Sequence, residues 1–131
     1  MYVIRKTKDL AGLEELAGNE AISQNGYSLV QLKADRQPIS VYLEEEPFTN
    51  TEFKIQKDDR IYMFSDGFQD QFGGENNKKF MTKNLKKLFL SICDKPMHEQ
   101  KQILNNTFLD WLGTDNKQID DVLIIGFQIQ G

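Results

Sequence analysis

The sequence predicts an α+β domain in which a late strand returns to a sheet formed earlier in the chain. Three observations support this prediction. Short runs with alternating apolar residues occupy the first half, as expected for strands: 2–5, 27–32, 38–43 and 60–64. Two helical apolar patterns follow, one from about Lys78 to Cys93 and one between Pro96 and Gly113. The chain then closes on a nearly continuous apolar run, Asp121 to Ile129, which predicts a strand central in its sheet.

The first half alternates between predicted strands and turns. Lys6 to Asn25 is polar and weakly helical around 10–16, and we expect it to leave the sheet as an excursion. Asn25-Gly26 is a turn signal before the strand Tyr27 to Leu32. Further along, 48–56 alternates through Phe53 and Ile55 and leads to a turn at 57–59. The most strand-like segment of all, Arg60 to Phe64, follows that turn.

The second half begins with a predicted flexible loop, Gly73 to Asn77. Each helical pattern after it has one apolar face. In the first helix this face consists of Met81, Leu85, Leu88 and Ile92. In the second helix it consists of Met97, Leu104, Phe108 and Trp111.

Composition excludes several classes of function. The chain has 131 residues, enough for one domain, and its formal net charge of −4 argues against a nucleic-acid binder. Cys93 is the one cysteine and His98 the one histidine, so a disulfide framework and a typical zinc cluster are excluded. No apolar run approaches the ~20 residues that span a bilayer, and early charges argue against a signal peptide. We therefore expect a cytoplasmic protein without membrane insertion.

Two acidic residues stand where a sheet could bring them together. Asp66 follows the strand 60–64 and precedes Gly67, while Asp120 precedes the last strand. If the two strands are neighbours, their carboxylates meet at one edge and suit Mg²⁺ or Mn²⁺, which prefer hard oxygen ligands. The same residues also fit a second interpretation, because Asp-Gly is a common turn and Asp-Asp can simply precede a strand.

Three motifs together resemble the SpoIIE-type, protein phosphatase 2C-like family of bacterial metal-dependent serine/threonine phosphatases. The family strand that ends on Ser-Asp-Gly matches 58–67, and its terminal Asp-Asp strand matches 120–125. Pro38-Ile39-Ser40 stands where the family has a Pro-Ile-Gly turn, and the segments 71–74 and 79–80 also resemble one subgroup. The resemblance covers almost the whole chain.

This resemblance implies a fold, a cofactor and a site. The fold would be the second half of an αββα sandwich, mainly antiparallel, with two consecutive helices before the last strand. Asp66 and Asp120 would bind one of two Mn²⁺ or Mg²⁺ ions, and Gly67 would form the turn that supports them. Asp70 and Asp121 would lie behind these ligands or hold an extra metal. No residue would act as a covalent nucleophile, since metal-activated water attacks phosphorus directly.

The sequence departs from the family in four places. Ser40 and Asp58 replace turn glycines, although Asp tolerates left-handed backbone better than most residues. Val122-Leu123 replaces a polar pair after the terminal Asp-Asp. The largest departure is that no segment of 1–131 matches the family's DxTGHG-like motif, which carries a metal-bridging Asp. We therefore expect residues 1–131 to be a partial domain that is inactive or weakly active in isolation.

Two functions remain open at this point. The first is part of a phosphatase that acts on phosphoserine or phosphothreonine of a regulatory protein, of which anti-anti-sigma factors are the family's example. The second is a non-catalytic regulatory or protein-interaction module that retains half of the fold. A half-domain would also leave apolar strand residues open, so we expect a symmetric homodimer. The alternative is a monomer in which the excursion from Lys6 to Asn25 folds back and covers these residues. These residues would be Tyr2, Ile4, Val30, Leu32 and Tyr42.

Overall fold

The computed structural model describes residues 1–13, 15, 21–33, 35 and 47–131. Its largest element is a five-stranded antiparallel sheet. In chain order the described residues form seven strands: β1 (Tyr2–Lys6), β2 (Ile22–Gln24), β3 (Tyr27–Gln31), β4 (Arg60–Phe64), β5 (Phe72–Gly73), β6 (Lys78–Lys79) and β7 (Ile124–Gln128). The main sheet has the order β2-β3-β1-β4-β7, while β5 and β6 form a separate hairpin. The helices are α1 (Gly67–Asp70), α2 (Thr82–Ile92) and α3 (Met97–Leu112), and Thr7–Asp9 is a 3-10 turn. None of these helices is long and apolar enough to cross a membrane.

The strands predicted at 2–5, 27–32 and 60–64 are confirmed. β1 lies in the middle of the sheet, where it pairs antiparallel with both β3 and β4. The turn predicted at Asn25-Gly26 joins β2 to β3, and both of its residues have positive φ, 52° and 77°. This is the backbone of a tight hairpin turn, which Asn and Gly adopt readily. By contrast 48–56 forms no strand, and the predicted strand 38–43 lies outside the described residues.

The turn before β4 forms although Asp58 stands where the family has a glycine. Asp58 has φ 68°, so it adopts the left-handed backbone expected at that position. The next residue, Asp59, is buried, and its carboxylate accepts two hydrogen bonds from the Arg5 guanidinium, at 2.8 and 2.7 Å. It also accepts a 2.8 Å bond from the Gln56 amide. This ion pair fastens the start of β4 to β1.

The inner face of the sheet carries the larger core, with α2 and α3 packed against it. Tyr2 and Tyr62 project from β1 and β4 and meet Phe89 of α2, with ring centroids 6.0 and 4.4 Å apart. Tyr62 also donates a 2.7 Å hydrogen bond to the Gln100 Oε1 of α3, which is itself buried. The two predicted helices therefore cover one face of the sheet, as an α+β domain requires.

Among the residues that the structure describes, the outer face is covered at one end only, and this corrects our expectation about open strand residues. Tyr2, Ile4, Val30 and Leu32 are all buried, because the chain covers them itself. On the outer face, Leu10 and Leu13 of the excursion after β1 form a second cluster with the sheet. The fifth residue of that expectation, Tyr42, lies outside the described residues.

The prediction that the last strand is central is wrong for the described sheet, since β7 lies at its edge. Leu123, Ile125 and Phe127 point to the outer face and are 58%, 47% and 39% exposed. Ile124 faces inward and packs against the core. A continuous apolar run arises here because β7 carries apolar residues on both faces, although only the inward face packs against the core, through the half-buried Ile124.

The first helix begins later than predicted. Lys78 and Lys79 belong to β6, and α2 begins at Thr82. The predicted loop is a turn of the β5–β6 hairpin, which lies against Trp111 of α3. A Cβ at Gly73 would fall 1.8 Å from the Trp111 carbonyl oxygen, so only glycine permits this approach. The second helix begins and ends as predicted, with Pro96 and Gly113 as its flanking residues.

Candidate metal site

The β4–β7 pair brings the two predicted acidic segments to one end of the sheet. Its antiparallel register runs from Arg60↔Gln128 to Phe64↔Ile124. One further backbone bond, from Ser65 N to Leu123 O at 3.0 Å, extends the ladder past Phe64. Beyond that bond the two chains continue as Asp66-Gly67 and as Asp121-Asp120. The predicted adjacency of these two strands is therefore confirmed.

The two segments lie in van der Waals contact at Gly67. A Cβ there would fall 2.3 Å from the Asp121 carbonyl oxygen and 2.9 Å from its carbon. These are backbone atoms that cannot turn away, so a side chain at residue 67 would push the segments apart. The glycine predicted to support the site is thus required by close approach of two backbones, not by an unusual φ.

Asp66 occupies the point where the strand turns into a helix. Its backbone is helical, with φ −80° and ψ −8°, and its carbonyl accepts a 3.0 Å bond from the Asp70 amide. The side chain is exposed and does not cap α1. Within the described part of the chain its carboxylate accepts no hydrogen bond, so it is available to a ligand.

Asp120 is exposed as well, but its side chain is held by its own backbone. Its Oδ1 accepts a 2.8 Å bond from the Asp121 amide, and its carbonyl accepts a 2.8 Å bond from Gln118 Nε2. Asp121 is exposed, and its carbonyl accepts a hydrogen bond from the Ser65 hydroxyl. The remaining oxygen of the Asp120 carboxylate is open to solvent.

Asp70 faces a cation of the protein. Its Oδ1 lies 3.1 Å from the Lys79 ammonium of β6, and both side chains are less than half exposed, at 41% and 45%. Lys79 also lies over the Phe72 ring at 5.9 Å. This contact ties α1 to the β5–β6 hairpin, and the predicted role of Asp70 near a metal stays a prediction.

Gln71 is a supporting residue that the sequence patterns gave no reason to select. Its side chain is fully buried, and its Nε2 donates to the Lys117 carbonyl while its Oε1 accepts from the Ile119 amide. Gln71 therefore joins the end of α1 to the segment that leads into Asp120. A glutamine after a helix has no distinctive spacing, so only the three-dimensional contacts reveal this connection.

The donor set fits part of a divalent-cation shell. Carboxylate oxygens are hard ligands, and Mg²⁺ is commonly bound through one or two carboxylates with water in the other positions. The described residues contain no group of three or more His, Cys, Asp or Glu side chains arranged to hold a metal. Asp66 and Asp120 alone would therefore be an incomplete ligand set.

A groove of about 510 Å³ opens beside this edge, between α3 and the β4–β7 pair. Its floor is apolar and includes Tyr62, Leu104 and Phe108. Phe68 and Val122 also line it, and each is within two residues of an acidic candidate. The groove therefore lies close in sequence to the acidic segments, although Asp66 and Asp120 are not among the residues that line it.

Comparisons with known proteins agree with this architecture. The family model of stage II sporulation protein E (SpoIIE) matches residues 21–130. Among solved structures, the SiaA-PP2C domain of Pseudomonas aeruginosa is similar to this chain at 25% identity, with a TM-score of 0.68. The match covers 78% of this chain and 39% of that chain, so the present sequence spans about two fifths of its length. No curated protein matches the chain at a significant level.

Proposed function

This chain belongs to the SpoIIE family and has the fold of a PP2C-like phosphatase domain, and from that premise we propose a specific activity. The chain contributes one metal-binding edge to a Mn²⁺- or Mg²⁺-dependent phosphatase that hydrolyses phosphoserine or phosphothreonine on a regulatory protein. In this proposal residues 1–131 are a partial phosphatase domain. Asp66 and Asp120 are its metal ligands.

The observation that carries the proposal is the meeting of the two acidic segments at Gly67 and Asp121. Both candidate ligands are exposed, while the backbone next to each is fixed by hydrogen bonds. When bound there, Mn²⁺ or Mg²⁺ would supply an activated water and neutralise charge on the phosphoryl oxygens. The protein's part is to hold two carboxylates at one edge without using them in its own ion pairs.

We assign Asp70 and Asp121 supporting positions around these ligands. Asp70 is joined to Lys79, so its charge is balanced within the protein. Asp121 contributes its carbonyl to the contact with Ser65 and leaves its carboxylate exposed. In this proposal each carboxylate would bind a metal-bound water or a further cation.

A protein substrate is supported by the groove between α3 and the sheet. Its mainly apolar lining could receive side chains that flank a phosphorylated residue, since Phe68 and Val122 of the lining are each two residues from a candidate ligand. The net charge of −4 argues against a general affinity for nucleic acid. A phosphorylated regulator of the anti-anti-sigma type fits this arrangement.

Release of inorganic phosphate from phosphoserine and phosphothreonine peptides tests the proposal. We expect slow turnover at millimolar Mn²⁺, none with chelator, and none in Asp66→Asn or Asp120→Asn. The matched control is Asp94→Asn, an exposed acid distant in sequence from both segments. Turnover that persists with chelator, or unchanged turnover in Asp66→Asn, would contradict the assignment.

A second function is favoured by the incomplete donor set of the described residues. In that case the chain is a non-catalytic regulatory or interaction module that keeps the phosphatase fold. It would bind a protein partner with no release of phosphate at any Mn²⁺ concentration. Absent turnover together with saturable binding of a phosphorylated regulator would select this second function.

We also propose that the chain forms a homodimer, through a surface that differs from the one predicted from the sequence. The exposed side chains of the outer face lie on β4 and around β7: Met63, Leu123, Ile125 and Phe127. Since β7 is an edge strand of the described sheet, its free backbone groups could pair with a second copy. Light scattering at tens of micromolar should give a dimer mass, and Ile125→Lys should give a monomer. A wild-type monomer would contradict the proposal.

A further inference from the structure

The hydroxyl of Ser65 joins the two segments that carry the candidate ligands. It donates a 2.8 Å hydrogen bond to the Asp121 carbonyl and accepts a 3.0 Å bond from the Leu123 amide. One side chain thus bonds on both sides of Val122, using the donor and the acceptor capacity of a hydroxyl at once. The backbone amide of Ser65 adds a third bond, to the Leu123 carbonyl.

This bridge stands where the regular ladder can no longer hold the strands together. The paired register ends at Phe64↔Ile124, and Asp66 then adopts helical backbone and turns away from β7. A backbone pair cannot follow that turn, whereas the Ser65 hydroxyl reaches across it. Ser65 directly precedes Asp66 in sequence. The carbonyl that accepts its hydrogen bond belongs to Asp121, which directly follows Asp120.

Gly67 reinforces the same contact from the other side of Asp66. The Asp121 carbonyl that accepts from Ser65 is the atom that a Cβ at residue 67 would meet at 2.3 Å. The carbonyl is therefore held between a hydroxyl donor and a glycine. Together Ser65 and Gly67 fix the backbone on both sides of Asp66 relative to the backbone after Asp120.

We propose that Ser65 is a positioning residue that sets the separation of the Asp66 and Asp120 carboxylates for a divalent cation. The inference rests on the proposed metal site and adds a residue to which that proposal gives no role. Groups that orient metal ligands typically change metal affinity by about 10- to 100-fold when removed. A hydroxyl that only lengthened the sheet would change stability and leave affinity unchanged.

The test is a Mn²⁺ titration followed by NMR, in which paramagnetic broadening detects binding even at millimolar dissociation constants. In the wild type we expect the amides of Asp66 and Asp121 to broaden together. Ser65→Ala should require at least about tenfold more Mn²⁺ for the same broadening. Ser65→Thr keeps the hydroxyl and should return the affinity to within about threefold of wild type, a bound we set because only a methyl group is added.

The matched control is Ser91→Ala, because Ser91 Oγ also donates to a backbone carbonyl, that of Leu88 at 2.7 Å, but lies within α2. It should bind Mn²⁺ as the wild type does. Wild-type affinity in Ser65→Ala would overturn the positioning role while leaving the metal site intact. No broadening at Asp66 in the wild type would overturn the metal site itself, and the positioning role with it.

Discussion

The two ends of β4 use aspartate in opposite ways. At its start Asp59 is 1% exposed, and its carboxylate is bonded to the Arg5 guanidinium and to the Gln56 amide. At its end Asp66 is exposed and accepts no side-chain bond from the described residues. The Asp59 carboxylate is used in contacts within the protein. The Asp66 carboxylate stays available, while the backbone beside it is fixed by hydrogen bonds. A metal ligand needs the second condition, since a buried carboxylate that is already paired with a guanidinium is closed to an incoming cation.

The largest expected effect comes from breaking the ion pair at the start of β4. Arg5→Met leaves the Asp59 carboxylate buried without its cation, so we expect a loss of about 3–5 kcal/mol in the free energy of unfolding. The control is Lys79→Met, which breaks the half-exposed pair with Asp70 and should cost about 0–1 kcal/mol. Urea denaturation measures both. Equal losses of unfolding free energy in Arg5→Met and Lys79→Met would contradict the view that only the Arg5–Asp59 pair is structurally important.

A smaller loss is expected where the two backbones touch at the far end. Gly67→Ala places a methyl group against the Asp121 carbonyl and should cost about 1–3 kcal/mol. Gly126→Ala in β7 is the matched control, because its Cβ would meet side-chain atoms of Tyr62 and Met97, at 3.0 and 3.7 Å, and none of the Asp121 backbone. Hydrogen exchange should accelerate at the Leu123 amide in Gly67→Ala alone. Unchanged exchange there would show that the contact does not hold the segments.

Three buried side chains behind β4, those of Tyr2, Tyr62 and Cys93, should make the stability of the protein depend on pH in the alkaline range. Burial raises the pKa of Tyr2 to about 12 and that of Cys93 to about 11, from 10.0 and 9.0. Burial also raises the pKa of Tyr62. Between these values the unfolded chain releases protons that the folded chain retains, so stability is complete below pH 9 and falls from about pH 9 to 12. Urea midpoints across this range measure the fall. Cys93→Ala should delay its onset, and a fall unchanged in that variant would contradict the assignment.

The smallest change in stability is expected when Asp66 or Asp120 is substituted. Asp66→Asn and Asp120→Asn remove exposed charges that make no ion pair within the described residues, so each should change the free energy of unfolding by less than about 0.5 kcal/mol without metal. Thermal and urea unfolding in the presence of chelator measure this. A loss above 1 kcal/mol in either variant would mean that the carboxylate has a structural role.

The sequence patterns predicted most elements that are long enough to show a period. Strands β1, β3 and β4 and the second helix were located closely, whereas the sequence patterns left the pairing of β4 with the last strand as a condition for a shared metal site. The short hairpin of β5 and β6 was missed because two residues cannot display alternation. The edge position of β7 was missed because a run that is apolar on both faces does not reveal which face is buried.

The supporting contacts of the site could not be predicted because they join residues distant in sequence. Ser65 meets Asp121 across 56 residues, and Gln71 meets Lys117 across 46. Arg5, likewise, is 54 residues from the aspartate it pairs with. Ser, Gln and Arg are common on surfaces, so their types alone carry no signal. Only the register of β4 with β7 and β1 brings these groups together.

The central claim is that Asp66 and Asp120 bind one divalent cation together, and a Mn²⁺ titration of four proteins tests it most directly. We predict that Asp66→Asn and Asp120→Asn each weaken Mn²⁺ binding by more than tenfold, roughly the loss of one charged ligand, and that the double variant is little worse than either. Such non-additivity is expected when two residues serve one site. Wild-type affinity in either single variant, or losses that add in full in the double variant, would contradict the claim.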